Sequence, residues 1–229
     1  MPIISRFDRS SYSLNGFDAE YKDAPSAYEF NAVSRKRGGR GLSVGVSGAG
    51  NEVYLTKDAA FTLAAGATKY IGFWMQPLAA PSADTYLLII KNATPTACYR
   101  LTHRSAGNGD ALRTSAITDA SAYTYAEIAG AVSAAWHWVV LEVTCSDGTP
   151  NGGVAVWVDG TRGAVQTGID NDVIGLGVMS LEIGVPSAAR DGYAIYIDDL
   201  VIADTYPIAP QSPAATSTST GTASRGAML

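Results

Sequence analysis

The side chains best suited to chemistry are concentrated in one polar segment, residues 102–125. The candidate ligand-binding residues in it are Arg104, Asn108, Asp110, Tyr123 and Tyr125. Arginine and amide side chains donate hydrogen bonds, carboxylates accept them, and tyrosine rings present an apolar face with a polar tip. Such a mixture suits a sugar, so this segment is a candidate glycan-binding rim. The alternative is a plain surface loop, because exposed loops often contain the same residues without a ligand.

Hydrolysis of a glycosidic bond requires a different arrangement, two carboxyl groups about 5–9 Å apart. No predicted strand offers such a pair. Glu142 has Val140 and Thr144 as its neighbours on the same face of a strand. Asp198 and Asp199 are consecutive, so in a regular strand they face opposite sides. The sequence therefore predicts a protein without enzymatic activity.

Metal and cofactor sites are not predicted either. The two histidines, His103 and His137, are far apart in the sequence, and no Cys/His cluster has the spacing of a zinc site. No D-x-D-x-D-G calcium loop and no phosphate-binding G-x-x-x-x-G-K-[ST] loop occurs. The cysteines Cys98 and Cys145 are predicted to be buried free thiols, with a disulfide between them as the lesser alternative.

The balance of charge bears on the class of partner. A net charge of −5 and an isoelectric point near 4.9 argue against binding to nucleic acid or to an anionic membrane. One basic run, SRKRGGR at residues 34–40, suits a phosphate, an anionic glycan or an acidic neighbouring subunit, or else a solvated loop. No apolar run approaches the roughly 20 residues of a membrane span, and the first residues lack the apolar core of an export signal.

These residues need elements to position them, and the sequence predicts strands. Helical periodicity is almost absent, and short runs of β-branched and aromatic residues alternate with turn residues. The predicted strands are 41–46, 52–55, 70–76, 86–91, 98–103, 123–128, 136–145, 153–158, 161–165, 180–183 and 194–203. A helical turn is also predicted near residues 126–135. Regular spacing of this kind is typical of an antiparallel sandwich or jelly roll.

The strand at residues 136–145 illustrates the alternation of side chains across a sheet. Trp136 and Trp138 point to one face, whereas His137 points to the other, which is mainly aliphatic. We expect His137 to be packed and hydrogen-bonded rather than catalytic. The tryptophan face is predicted to be structural and covered by a loop, with a ligand platform as the alternative.

Four motifs, and their order along the chain, resemble those of a known family. They are FWMQ at residues 73–76, WHWVVL at 136–141, VDG at 158–160 and IDDLVI at 197–202. This series resembles the laminin-G-like, concanavalin A-like jelly-roll superfamily, of the kind found in tailed-phage structural proteins. The resemblance covers about residues 41–206. It implies an all-β antiparallel sandwich, here with extended N- and C-terminal arms.

The domain boundaries and the function follow from this resemblance. We expect an N-terminal arm and first strand region at 1–24, a jelly-roll domain at 25–206 and a Pro/Ser/Thr-rich tail at 207–229. The resemblance implies a virion component, such as a capsid decoration (cement) or tail accessory protein, that forms a homo-oligomer and contacts other virion proteins. The apolar anchors predicted to dock its arms are Ile3, Ile4, Phe7, Met228 and Leu229. The alternative is a glycan-binding, lectin-like module for host-surface recognition.

Overall fold

The computed structural model describes residues 3–5, 17–22, 27–31, 36, 41–46, 51–127, 132, 134–186 and 193–209. Within these residues the chain is almost entirely β-structure, with a single 3-10 turn at Ala106–Asn108. The strands are β1 (Ile3–Ser5), β2 (Ala19–Lys22), β3 (Ala27–Asn31), β4 (Gly41–Gly45), β5 (Val53–Leu63), β6 (Thr68–Pro77), β7 (Thr85–Lys91), β8 (Ala97–His103), β9 (Leu112–Ile117), β10 (Tyr123–Glu127), β11 (His137–Thr144), β12 (Gly152–Val158), β13 (Thr161–Ile169), β14 (Gly177–Val185) and β15 (Ala194–Ala203).

The strands form two antiparallel sheets. Sheet A has the order β13-β12-β11-β6-β15-β4-β3, with β1 paired to β15, and sheet B has the order β10-β9-β8-β7-β14-β5-β2. Consecutive strands pair as hairpins at the ends of the sheets, whereas β11-β6-β15-β4 in sheet A and β7-β14-β5-β2 in sheet B join strands that are distant in sequence, as in a jelly roll. The predicted all-β antiparallel sandwich is therefore confirmed.

The hydrophobic core lies between the two sheets and is built by alternating side chains. Strand β11 contributes Val139, Leu141 and Val143, all fully buried. Strand β8 of the opposite sheet contributes Tyr99 and Leu101 to the same cluster. Full burial of one such aliphatic side chain stabilises a fold by about 1.5–3 kcal/mol, so these inward rows fix which face of each strand turns outward.

The outer face of sheet A is partly covered by the chain that follows β15. The Trp138 side chain is 1% exposed, and its indole N–H donates a hydrogen bond to the Pro207 carbonyl at 3.1 Å. Its ring centroid lies 5.4 Å from that of Trp74. The prediction of a structural tryptophan under a loop is confirmed for Trp138. His137 lies on the opposite face, with Nδ1 at 2.7 Å from a carboxylate oxygen of Asp159, so it is hydrogen-bonded as expected.

The sequence missed some strands. Strand β9 was not predicted, because LRTSAI has three consecutive polar residues and lies within the segment interpreted as a loop. Strand β5 extends well beyond the predicted 52–55. The predicted helical turn at 126–135 is wrong at its start, where β10 continues to Glu127. Both cysteines are free and buried, and burial raises the pKa of each thiol to about 11.

Two strands lie in the segment assigned to the N-terminal arm. Strand β1 contains Ile3 and Ile4 and pairs with β15, and strand β2 pairs with β5. The other proposed anchors, Phe7, Met228 and Leu229, lie outside the described residues. No helix among the described residues has both the length and the apolar character to cross a membrane.

Substitution of Gly72 by alanine tests the cover over sheet A. A Cβ atom at this position would lie 2.7 Å from the Trp138 ring and 3.1 Å from the Pro207 ring. We expect Gly72→Ala to lower the free energy of unfolding by about 1–3 kcal/mol, as overpacking does. Gly107→Ala is the control, because nothing lies within 4 Å of its Cβ. Equal midpoints for the two variants in urea unfolding would contradict this packing.

Candidate functional site

The outer face of sheet B combines arginines and tyrosines. Along β8 the core takes Tyr99 and Leu101, so Arg100 and Thr102 point outward. In the paired strands Arg100 lies opposite Ser115, and Thr102 lies opposite Arg113. We call this surface the tyrosine–arginine face and define it by Tyr86, Arg100, Arg104, Arg113, Tyr123 and Tyr125.

Arg100 lies at the centre of this face between two phenol rings. Its guanidinium carbon is 3.9 Å from the centroid of the Tyr123 ring and 5.1 Å from that of Tyr86. Its Nη1 atom donates to the Tyr86 hydroxyl at 3.4 Å, a long hydrogen bond. Among the described residues no carboxylate forms an ion pair with Arg100, unlike Arg104 and Arg113. The rings hold this cation in place by cation–π attraction and leave its charge without an acidic partner.

A carboxylate orients the other two arginines. Oδ2 of Asp84 lies 3.3 Å from Arg113 and 3.5 Å from Arg104, and its Oδ1 accepts from the Asn108 amide at 3.0 Å. Burial alone would raise the pKa of this carboxyl. The hydrogen bonds from Asn108 and the Ser105 backbone, together with Arg113 and Arg104, lower it below its ordinary value. Asp84 therefore stays ionised and holds the Arg104 and Arg113 side chains in position at the edge of the tyrosine–arginine face.

Several polar atoms on the outer side of sheet B lack a hydrogen-bond partner. Among the described residues five buried side-chain nitrogen or oxygen atoms have none. Four of them are Nε of Arg100, Arg104 and Arg113, and Oε2 of Glu182 on β14. Buried polar groups are nearly always hydrogen-bonded to protein or water. Each of these atoms is itself buried, so its missing partner does not mark a surface that is open to a ligand.

The two tyrosine hydroxyls that flank Arg100 differ in their hydrogen bonds. The Tyr123 hydroxyl donates to the Ala97 carbonyl at 2.9 Å. Burial raises the pKa of Tyr123, although Arg100 opposes this shift. Tyr123 is therefore a protonated, fixed platform for the guanidinium. The Tyr86 hydroxyl instead accepts from Arg100, and its own proton faces no described acceptor.

The sequence-predicted residues separate into two groups. Arg104, Tyr123 and Tyr125 reach the tyrosine–arginine face, and Asn108 contacts it through Asp84. Tyr125 is 51% exposed, with the Arg113 guanidinium 4.7 Å from its ring centroid. Asp110 does not join them. It bonds the buried His103 and so anchors a loop to the core.

Sequence reasoning missed Tyr86 and Arg100 as site residues. Both lie in predicted strands, 86–91 and 98–103, but neither side chain was assigned to a site. A charged residue between Tyr99 and Leu101 was the available signal, since alternation places Arg100 on the solvent side.

Another cluster has the residue types of a cation site. Carboxylate oxygens of Asp119, Asp170 and Asp172 lie within 4.8 Å of one another. Backbone N–H groups of Val173 and Ile174 already donate to Asp119. Carboxylate oxygens are the ligands that Ca²⁺ uses, so the cluster has the composition of a cation site. Its hydrogen bonds to backbone N–H groups also give it a structural role, because they hold the loop in place.

No known protein family matches this chain, and no curated protein matches it. Solved structures do resemble it in fold. An endo-β-1,4-glucuronan lyase from the fungus Trichoderma reesei has a TM-score of 0.65 and 14% identity over 84% of this chain and 92% of that one. An alginate lyase bound to dimannuronate has a TM-score of 0.52 and 10% identity over 79% and 90%. A botulinum neurotoxin type C structure, described as dependent on two ganglioside molecules for cell entry, has a TM-score of 0.60 and 11% identity over 90% and 48%.

These similarities correct one prediction. The sequence predicted no enzymatic activity because it lacks the paired acids of a glycoside hydrolase, yet polysaccharide lyases are among the structures with this fold. Elimination does not need that pair, since it removes a proton next to a carboxylate instead of adding water. The absence of two facing acids therefore did not exclude catalysis. At these identities the likeness shows the fold alone, an antiparallel sandwich of the concanavalin A-like kind.

His103 gives the fold a predictable response to acid. Its Nδ1 lies 2.9 Å from the Tyr193 hydroxyl and its Nε2 lies 2.7 Å from Asp110. Burial lowers the pKa of this imidazole below its ordinary 6.5, and the Asp110 hydrogen bond opposes that shift. The unfolded chain therefore binds this proton at a higher pH than the folded one, so stability falls as the pH drops below about 6.5.

Replacing His103 with glutamine tests this response by urea unfolding at several pH values. We expect the loss of stability between pH 6.5 and 5 to be smaller in His103→Gln, by up to about 1.4 kcal/mol per pH unit. Between pH 7 and 8 the two proteins should show the same slope, because the imidazole is neutral in both states. An unchanged slope below pH 6.5 would show that His103 is not the group responsible.

Proposed function

We propose that the tyrosine–arginine face binds a polysaccharide containing uronic acids and cleaves it by β-elimination. The observation that carries this proposal is Arg100, a cation fixed between Tyr86 and Tyr123 with no acidic partner among the described residues. A planar guanidinium binds a carboxylate through two parallel hydrogen bonds. The Nε of Arg100 is buried and unpartnered among the described residues, so the donors for a ligand are the terminal Nη groups.

Aromatic side chains extend the surface beyond this one carboxylate. Tyr125 is half exposed on β10, and its ring lies beside the Arg113 guanidinium. Sugar rings have apolar faces that can pack on such a ring, while their hydroxyls reach the neighbouring polar atoms. The face therefore suits a polymer that lies across the strands of sheet B.

The elimination requires a base for the proton on the sugar carbon next to the carboxylate. Binding of that carboxylate by Arg100 makes the proton more acidic by stabilising the negative charge that develops. Tyr86 lies beside Arg100, with its hydroxyl oxygen 3.4 Å from Nη1 of the guanidinium. The Tyr86 oxygen, once its own proton has passed to water, takes the C5 proton, and the released electron pair forms the C4–C5 double bond. The C4–O bond then breaks, and the departing oxygen takes the proton back from Tyr86.

Tyr123 has a supporting role in this scheme. Its hydroxyl is bound to the Ala97 carbonyl, and its pKa is raised by burial, so it is not the base. It positions Arg100 through its ring. The two similar structures named as glucuronan and alginate lyases support the choice of substrate class, because both polymers are built from uronic acids.

The predicted virion role stays a prediction of the sequence resemblance. Attachment to capsid or tail, contact with other virion proteins and homo-oligomer formation depend on surfaces that no described contact tests. Binding of a surface glycan, the alternative drawn from the sequence, agrees with the proposal for the tyrosine–arginine face. The similar structure of a botulinum neurotoxin whose cell entry depends on two ganglioside molecules supports glycan binding in general terms.

Substitutions at Arg100 and Tyr86 test the mechanism on polyglucuronate and polymannuronate. Cleavage is followed by the ultraviolet absorbance of the unsaturated uronate that elimination creates. We expect Arg100→Ala to lower kcat/KM by about 100-fold or more, as loss of one charge-stabilising group does. Tyr86→Phe should lower kcat by a similar factor with little change in KM, because the phenol acts in the reaction rather than in binding.

Arg162→Ala provides a matched control. This arginine also contacts a tryptophan ring and lies on sheet A, where Glu142 pairs with it. We expect its kcat/KM to stay within about threefold of the unsubstituted protein, since surface changes away from a site have small effects. No unsaturated product from any uronate polymer, with no binding either, would refute the proposal. Product release that survives Arg100→Ala would refute the role of Arg100.

A further inference from the structure

Tyr125 lies in the same cross-strand row as Arg100. It is opposite Ser115 on β9, and Ser115 is opposite Arg100 on β8. Residues directly opposite in antiparallel strands share a face of the sheet. Two strand spacings, about 10 Å, therefore separate the backbone of Tyr125 from that of Arg100. A chain of linked sugars that follows this row meets the two side chains with different units.

The Tyr125 side chain is accessible to a ligand. The residue is 51% exposed, which makes it the most exposed aromatic residue in the part of the chain that the structure describes. Ser115 is 3% exposed and forms the floor between Tyr125 and Arg100, so binding requires no contact with it. A phenol ring presents an apolar face on which the C–H groups of a sugar can pack.

The charges around the Tyr125 ring are balanced, and they hold the ring in place. The Arg113 guanidinium lies 4.7 Å from the ring centroid, and Arg113 is itself paired with Asp84 at 3.3 Å. Glu127, two residues further along β10, is paired with Arg104. This part of the tyrosine–arginine face therefore offers a ring surface, in contrast to the unpaired cation at its centre.

From this geometry we infer that Tyr125 forms a second subsite, where a sugar about two units away from the uronate held by Arg100 stacks on the ring. The inference rests on the proposed function. The apolar face of that sugar packs on the phenol ring, and its recognition requires no carboxylate. Single sugars and disaccharides do not reach both side chains, so the site prefers longer oligosaccharides. Tyr125 sets this length requirement, whereas Arg100 sets the requirement for a uronate.

A gain in affinity with chain length has a competing explanation in polar contacts. The Arg113 guanidinium, the Glu127 carboxylate and the Tyr125 hydroxyl are all able to form hydrogen bonds with a sugar. Contacts between charged groups weaken as the salt concentration rises, because ions screen them. Packing of a sugar on a ring is not screened. Salt dependence and the choice of substitution therefore distinguish the two explanations.

The experiment compares diglucuronate with tetraglucuronate by NMR titration, which quantifies weak binding. Both are titrated into the full chain carrying Tyr86→Phe, so that the oligosaccharides stay intact. We expect the tetrasaccharide to bind at least about tenfold more tightly, the effect of one stacked ring and its buried apolar area. Nearly equal dissociation constants would overturn the inference before any substitution of Tyr125.

Substitutions of Tyr125 in the same background test the ring itself. Tyr125→Ala should bind tetraglucuronate about tenfold more weakly and diglucuronate within about twofold of the parent, because only the longer ligand reaches the ring. Tyr125→Phe retains the ring and should retain both affinities. The loss in the alanine variant should be equal at about 0.05 M and about 0.5 M salt. A loss in the phenylalanine variant, or one that disappears at high salt, would overturn the stacking role.

Tyr21→Ala is the matched control. Tyr21 is 44% exposed and lies opposite Tyr54 on the same outer face, in strand β2 at the other edge of sheet B. Four strand spacings, about 19 Å, separate β2 from β8, so a tetrasaccharide held by Arg100 does not reach Tyr21. We expect both dissociation constants to stay within about twofold of the parent. A loss as large as that of Tyr125→Ala would overturn the inference, since it would place the ligand elsewhere on the sheet.

Two results separate the inference from the function on which it rests. Equal binding of both oligosaccharides, together with its loss in Arg100→Ala, would overturn the role of Tyr125 and leave the proposed function standing. Binding of neither oligosaccharide would overturn the proposed function and the inference with it.

Discussion

Strand β8 directs Tyr99 and Leu101 into the core, and the candidate site depends on that constraint. Tyr99 and Leu101 are fully buried between the sheets, so the alternation of the strand forces Arg100 outward. A slip of one residue would place a guanidinium in the core and a leucine on the surface. The energy of the buried row therefore fixes the register, and the register fixes the position of Arg100 relative to Tyr86 and Tyr123.

The neighbouring charges show how the fold holds an arginine ready for a ligand. Arg104 and Arg113 share Asp84, which fixes their orientation and satisfies their charge. Arg100 is held by rings instead of an acid, so its charge is balanced by polarisable surfaces that do not compete for its hydrogen-bond donors. Only the second arrangement leaves a cation for an incoming carboxylate. The difference between the arginines identifies Arg100 as the centre of the proposed site.

The fold was predictable from the sequence to a greater extent than the site. Strand patterns and the order of motifs such as WHWVVL indicated a jelly roll, because each strand of a sandwich carries a local signature of alternation and turns. Polar residues of the segment 102–125 were found by composition. Tyr86 and Arg100 were not, since their contact with Tyr123 depends on pairing between strands, which the sequence does not encode locally.

The most direct test of the central claim is a map of where a uronate oligosaccharide contacts the folded chain. Backbone amide signals of the labelled protein are followed by NMR during titration with hexaglucuronate. The account predicts that the largest shifts fall on β7 to β10 and β14, around Arg100, with little change in sheet A. Shifts concentrated on sheet A, around Trp136 and Tyr196, would contradict it, as would a complete absence of shifts.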